Sequence, residues 1–300
     1  MRSRLQEVLA DRAQHAGTPF LFDARLVELR ERSTGIEAVF EDGRVIESDI
    51  VIGADGIWST VRRATWTAGA RPSYTGIVDC GGVTRVTLPD TSRQQMYFGH
   101  RAFFGYVVKD SQAYWFTNVP RPDEPKRSEL DNLDPASWMA TIRALHEKDP
   151  QPVRTILNAA DGALGAWPVY DMPDLAEWAT KKVCLIGDAA HAVSPSSGQG
   201  ASLAIEDAVV LAHWLHQAPS PEAAFAGFVR ERKARAESIV KFGRQIGDRK
   251  ISSTAGNLFR NLTLGFFLRM GARATKEQYS YRIPMQADTK LIDTDGAARV

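Results

Sequence analysis

Hydrophobic positions first recur at helical spacing. Leu5, Val8, Leu9 and Ala13 fall three or four apart, so the chain opens on a helix that stops near Gly17. The period then shortens to that of strands. Residues 19–22, 26–30 and 36–40 read as short β-rich runs, and the turn Glu41-Asp42-Gly43-Arg44 leads into Val45-Ile46 as a hairpin does. Residues 49–53 form a nearly unbroken apolar run, the pattern of a strand covered on both faces, and a helix is expected over about 57–63. From about residue 71 the character changes. Runs over 76–88, 94–99, 102–109 and 113–119, rich in Val, Tyr, Phe and Thr, predict an antiparallel sheet with turns at Gly99-His100-Arg101 and Lys109-Asp110-Ser111. A polar linker over 121–134 leads to helical stretches near 135–147 and 150–160. The earlier pattern then returns, with a buried-strand run over 182–186, a glycine-rich loop and a helix over 201–216. The rest, to about residue 275, is helical and ends in an irregular tail. The expected fold class is mixed α/β (α+β): residues 1–70 and 166–300 form one unit, helical from about 220, interrupted by a mostly antiparallel β unit over 71–165.

Composition narrows the function classes. With 300 residues the chain has room for one large domain or two ordinary ones. The apolar share of 44% and charged share of 24% are those of a soluble globular protein. A net charge of +1 supplies no field to attract nucleic acid or an anionic membrane, so neither is expected as a partner. The most apolar segment, 262–268, lies between Arg260 and Arg269 and is far short of the roughly 20 residues of a spanning helix. The charged opening is not a signal peptide. Cys80 and Cys184 make no disulfide framework; they read as buried thiols, with a single bridge as the alternative, and the chain as cytoplasmic.

Two segments carry chemistry. In the first, the strand over 49–53 runs into Asp55-Gly56, and a helix opens with Ser59 in its first turn. A helix N-terminus offers unpaired N–H groups and partial positive charge to a phosphate, and Arg62 one turn in adds a fork of donors for a pyrophosphate. Read alone, Asp55-Gly56 is equally an ordinary turn. The second segment runs from Gly187-Asp188-Ala189-Ala190-His191 through Pro195 to Gly198-Gln199-Gly200. Asp188 sits at the carboxyl end of a strand, where α/β sheets bind ligands, and accepts hydrogen bonds from sugar or ribityl hydroxyls. Gly198 and Gly200 remove side chains where a flat ring approaches the backbone, and the following helix aims its N–H groups at the same point. As an isolated string this too reads as a strand–helix connection.

Together the pair resembles the Asp-Gly and Gly-Asp motifs of the class A flavoprotein aromatic hydroxylases, the family of p-hydroxybenzoate and salicylate hydroxylases. Asp55, Gly56, Ser59 and Arg62 match the first motif. Gly187 to His191, Pro195, Gly198, Gly200 and the acidic pair Glu206-Asp207 match the second, with Ser202 where the family often has Asn. The resemblance implies a Rossmann-like FAD-binding domain interrupted by a β-rich substrate domain. It implies FAD contacts from Arg2, Asp55, Gly56, Ser59, Arg62, Gly187, Asp188, Ala189, His191, Pro195, Gly198, Gln199 and Gly200. NADH or NADPH is the implied transient co-substrate, O2 the oxygen source, and an aromatic or polyketide-like small molecule the substrate. No catalytic residue is assigned: His191 reads as a structural neighbour of the flavin more than as a base. By the same analogy Trp167, Pro168, Val169 and Tyr170 lie beside the substrate pocket, with aromatic core packing the alternative. There is no metal-ligand spacing, no Ser-His-Asp arrangement and no Trp-x-Trp-x-Ile-Pro signature of the related flavin halogenases.

The family also begins with a strand, a Gly-x-Gly-x-x-Gly loop and a helix that hold the ADP half of FAD. None of the 23 glycines makes that pattern: Gly198 and Gly200 are the one Gly-x-Gly, and Leu203 stands where the third glycine belongs. The expectation is therefore an N-terminally incomplete flavin domain that binds FAD poorly and folds marginally by itself. A flavin reductase or dehydrogenase of the same superfamily, and a truncated non-catalytic remnant, are the alternatives to a monooxygenase.

Overall fold

A computed structural model describes residues 2–66, 71–161, 165–172, 174–250 and 278–283. Helix α1 (Arg2–His15) comes first, and the hairpin signal is met by the antiparallel sheet β1 (Leu26–Glu31), β2 (Ile36–Phe40) and β3 (Val45–Ser48). Its second turn needs Gly43 at φ +85°, and the Asp42 carboxylate accepts the Arg44 N–H at 3.0 Å. Residues 19–22, expected as a β run, form no strand; Phe22 is 73% exposed, because β-prone side chains need a partner strand and none pairs with them here. Strand β4 (Val51–Gly53) leads into the short helix α2 (Thr60–Thr65).

The runs from residue 73 onward form a five-stranded antiparallel sheet from β5 (Ser73–Arg85), β6 (Gln95–Phe98), β7 (Phe103–Lys109) and β8 (Gln112–Pro120), completed by β9 (Gly165–Asp171) in the order β6-β7-β8-β5-β9. Between β8 and β9 lie α3 (Arg127–Asp131), within the expected polar linker, then α4 (Pro135–Leu145) and α5 (Gln151–Ala159). Asp134 starts α4 by accepting the Ser137 N–H at 2.9 Å, and Pro135 at the first helical position has no N–H to lose. The helices bury Met139, Ile142, Val153, Ile156 and Leu157 against one sheet face, each worth roughly 1.5–3 kcal/mol of burial. Strand β9 falls at the sequence boundary expected between the two units; it pairs with β5, placing Trp167 opposite Asp79 and Gly165 opposite Gly81.

A second core surrounds β4 and its parallel partner β10 (Val183–Leu185). The chain continues through α6 (Asp188–His191), α7 (Gly200–Gln217) and α8 (Pro221–Lys250). Trp178, Leu185, Val210, Leu211, Phe225 and Phe228 fill this core, while Val51 and Ile52 on β4 are only half-buried. The helical expectation over 251–275 lies outside the described residues. No helix among the described residues is long and apolar enough to cross a membrane.

Candidate functional site

The Asp-Gly segment is a close-packed corner. A Cβ on Gly53 would stand 2.5 Å from Leu185 Cδ2, so only glycine lets β4, β10 and α2 meet there. Gly56 turns the chain at φ +79°. Ser59 Oγ then accepts the Arg62 N–H at 2.9 Å, and Asp55 Oδ2 accepts the N–H groups of Thr60 at 2.7 Å and Val61 at 3.1 Å. The donors expected to meet a phosphate are thus already taken, and a carboxylate sits where the anion was expected. Arg62 departs further from expectation. It is 2% exposed, donates to the carbonyls of Ala189 at 2.6 Å and Ile57 at 2.5 Å, and burial lowers its pKa. Its guanidinium staples the first segment to the second and is not free as a fork for a pyrophosphate.

The Gly-Asp segment is held from behind by the acidic pair. Gly187 takes φ +57°, and its N–H donates to Asp207 Oδ2 at 2.9 Å. The same oxygen lies 2.5 Å from His191 Nε2, and Asp207 Oδ1 accepts from Arg232 Nε at 2.8 Å. Burial pushes the Asp207 carboxyl up, but His191, the Gly187 N–H and Arg232 outweigh it and hold the pKa below the usual value. Glu206 pairs with Arg232 at 2.6 Å and with Arg235 at 2.8 Å. An ionised Asp207 only accepts, which assigns the proton to His191 Nε2; Nδ1 has no partner among the described residues. With its ring 4.9 Å from that of Trp178 and 3% exposure, His191 is a buried brace for the loop.

Asp188 faces the other way, into a pocket, and burial raises its pKa. Ala189 is buried and offers its carbonyl to Arg62. Pro195 also lines the pocket and opens a single 3₁₀ turn, after which Gly198 at φ +65° and the buried Gln199 lead into α7. Unlike α2, the 18-residue α7 has no side-chain cap on its N-terminus among the described residues. Residues 278–283 pack on this loop: Tyr279 Oη donates to the Ser197 carbonyl at 2.7 Å, and Gln199 Nε2 donates to Gln278 at 3.4 Å. Arg2 opens α1, and its side chain lies outside the described residues.

The pocket measures about 540 Å³, within the range of small-molecule sites. The loops supply Ile57, Trp58, Asp188, Ala192, Val193 and Pro195, and β9 supplies Trp167, Pro168, Val169 and Tyr170. Trp58 meets Tyr170 edge-on with ring centres 5.0 Å apart. Trp58 and Asp79 are pocket residues that sequence reasoning missed; the available signal for Asp79 was an acid in the middle of an apolar strand. The structure also brings together a hydroxyl, an imidazole and a carboxylate not foreseen from spacing. Thr117 Oγ1 lies 2.8 Å from His146 Nε2, and His146 Nδ1 lies 2.6 Å from Asp149 Oδ2. All three are buried, and Thr117 also donates to the Phe103 carbonyl at 2.9 Å, so the trio clamps β8 to the α4 end and does not line the pocket described above.

Residues 2–243 match the model of the FAD binding domain family. The chain is 30% identical over 225 residues to a chloroplastic zeaxanthin epoxidase of an Oncidium hybrid cultivar, covering 72% of this chain and 32% of that protein. It is 32% identical over 256 residues to aurachin C monooxygenase/isomerase of Stigmatella aurantiaca, covering 82% of this chain and 62% of that one. The chain therefore spans between about a third and under two thirds of these relatives' lengths. Klebsiella pneumoniae HpxO, solved with FAD and uric acid, shares the fold at a TM-score of 0.77 and 23% identity, covering 92% of this chain and 70% of that one. The Asp-Gly and Gly-Asp corners, the five-stranded sheet set beside them and the family match lead to one assignment: the chain belongs to the FAD-binding-domain family of class A flavoprotein monooxygenases.

Proposed function

We propose that this chain carries the flavin-ring and substrate side of an NAD(P)H- and O2-dependent monooxygenase acting on an aromatic or polycyclic small molecule. One observation carries the reading: a single pocket is lined both by Asp188 and Pro195 of the Gly-Asp loop and by the aromatic wall Trp58, Trp167 and Tyr170. The names of the relatives, an epoxidase and a monooxygenase/isomerase, support oxygen transfer as the reaction class.

The residues present fit FAD at this loop. Gly187 and Gly198 hold left-handed turns that bring backbone close to a ligand, and α7 presents an N-terminus without a side-chain cap. Bound there, FAD supplies the redox chemistry with a nicotinamide nucleotide and O2. Asp188 accepts from ribityl hydroxyls, and Pro195 with the 198–200 backbone supports the ring. The α7 N-terminus favours negative charge beside it. The apolar pocket wall excludes water and orients the substrate. Asp55, Ser59, Arg62 and His191 act one layer behind, shaping the two loops.

Flavin binding is the test. Titrated with FAD, the purified chain is expected to bind it weakly, read as a change in flavin fluorescence, and the Asp188→Ala variant is expected to bind measurably less. Consumption of NADH or NADPH together with O2 and an aromatic substrate distinguishes a monooxygenase from a reductase. A wild-type chain and an Asp188→Ala variant that bind FAD equally would sink the assignment of this loop.

A further inference from the structure

Two walls of the pocket come from different parts of the chain and share one support. The Gly-Asp loop supplies Val193 and Pro195, and β9 supplies Trp167 to Tyr170. Just past the end of β9, the Met172 N–H donates to the Ala192 carbonyl at 2.9 Å, so the strand is tied directly to the loop. Helix α8 lies behind both walls. A Cβ on Gly243 would stand 3.2 Å from Val193 Cγ1 and 3.4 Å from Ser197 Cβ, so this glycine lets the helix lie close against the loop. The next residue, Arg244, reaches β9: Nε donates to Asp171 Oδ2 at 2.9 Å, and Nη2 donates to Asp171 Oδ1. Asp171 is fully buried and stands between Tyr170 of the pocket wall and Met172.

Asp248 and Asp174 add Coulombic attraction to Arg244, but its hydrogen-bonding fork is spent on Asp171. Two parallel bonds from one guanidinium fix orientation as well as distance. Neither Asp171 nor Arg244 lines the aromatic pocket, so both act through the wall they hold. We propose that Arg244 is a positioning residue for the substrate: by locking Asp171 it sets the stance of the Trp167 to Tyr170 wall against the Gly-Asp loop, and so makes the pocket favour flat aromatic rings over thicker ones. This rests on the reading of the pocket as the substrate site. Lysine at this position keeps the charge and loses the fork, which frees β9 to shift against the loop. The loss then appears as weaker discrimination by ring shape.

Isothermal titration of the purified chain with 2-naphthol and with its tetrahydro derivative, saturated in the ring that lacks the hydroxyl, tests it. The two probes share the phenol and differ in the thickness of the second ring. The wild type is expected to bind the naphthol roughly fivefold tighter. Arg244→Lys is expected to bring that ratio within about twofold, and Asp171→Asn to do the same. The double variant should be no less selective than either single one, because both substitutions break the same pair. A ratio of affinities does not change when part of the protein is unfolded, so it separates positioning from a general loss of stability. Equal binding of the two probes to the wild type, a wild-type ratio in Arg244→Lys, or losses that simply add in the double variant would overturn the proposal and leave the pocket reading standing. If neither probe binds the wild type, the pocket is not an aromatic site and both readings fall.

Discussion

Replacing Asp207 by alanine removes the acceptor that ties the Gly-Asp loop to the helices behind it. The side chain is fully buried and takes hydrogen bonds from Gly187 N, His191 Nε2 and Arg232 Nε. Removing one partner of a buried ion pair costs about 3–5 kcal/mol, because the other charge stays desolvated. Arg232 keeps Glu206 at 2.6 Å, which places the expected loss at the low end, about 3 kcal/mol. At roughly 2–4 °C per kcal/mol for a chain of this class, the unfolding midpoint should fall by about 6–12 °C. Asp207→Asn keeps one acceptor and should lose roughly half as much. The pH dependence has a defined sign. The folded-state pKa is lowered from 3.8, so the contribution is complete above that value and disappears as pH falls through the folded-state value. The gap between wild type and Asp207→Ala is therefore constant near neutrality and closes in acid. Thermal unfolding followed by circular dichroism at several pH values reads both effects. A variant whose midpoint matches wild type at neutral pH would refute the argument that this carboxylate holds the loop.

Other expectations follow from the same kind of accounting. Burial lowers Lys250 from 10.5 to about 8, so the unfolded chain holds a proton over that window that the folded chain has released. Wild-type stability should rise with pH between those values relative to Lys250→Met, by up to about 3 kcal/mol, in urea titrations at stepped pH; parallel curves would exclude a buried ammonium. Ser59→Ala removes the α2 cap and should cost about 1 kcal/mol in the same assay, since Ser59 is buried and bonded to the Arg62 N–H; an unchanged midpoint would show that the cap does not hold α2. Burial pushes the Cys80 and Cys184 thiols up to about 12, so neither should react with a disulfide reagent at mildly alkaline pH until the chain is unfolded; rapid labelling of the native chain would contradict their placement.

Local pattern by itself determined most of the elements. Enrichment in Val, Tyr, Phe and Thr over 102–109 and 113–119 marked β7 and β8 within a residue or two, and the apolar runs at 49–53 and 182–186 marked the strands β4 and β10. Both signals are properties of a few consecutive residues: side chains that suit a pleated sheet, and an apolar run covered on both faces. The motif residues of the Gly-Asp loop were visible for the same reason, since a left-handed turn at Gly187 or Gly198 writes itself as glycine. Only tertiary structure decided what the polar groups do. Arg62 read as a free cation, yet the two carbonyls that occupy it include Ala189, 127 positions away. Asp207 read as part of a motif, and its role appeared only when α7, α8 and the Gly187 turn met. Residues 19–22 had strand-forming side chains and found no partner strand, whereas Asp79 became a pocket residue because β9 paired with β5. Periodicity is local; hydrogen-bond partners and burial are set by segments far apart in the chain, and no spacing rule carries them.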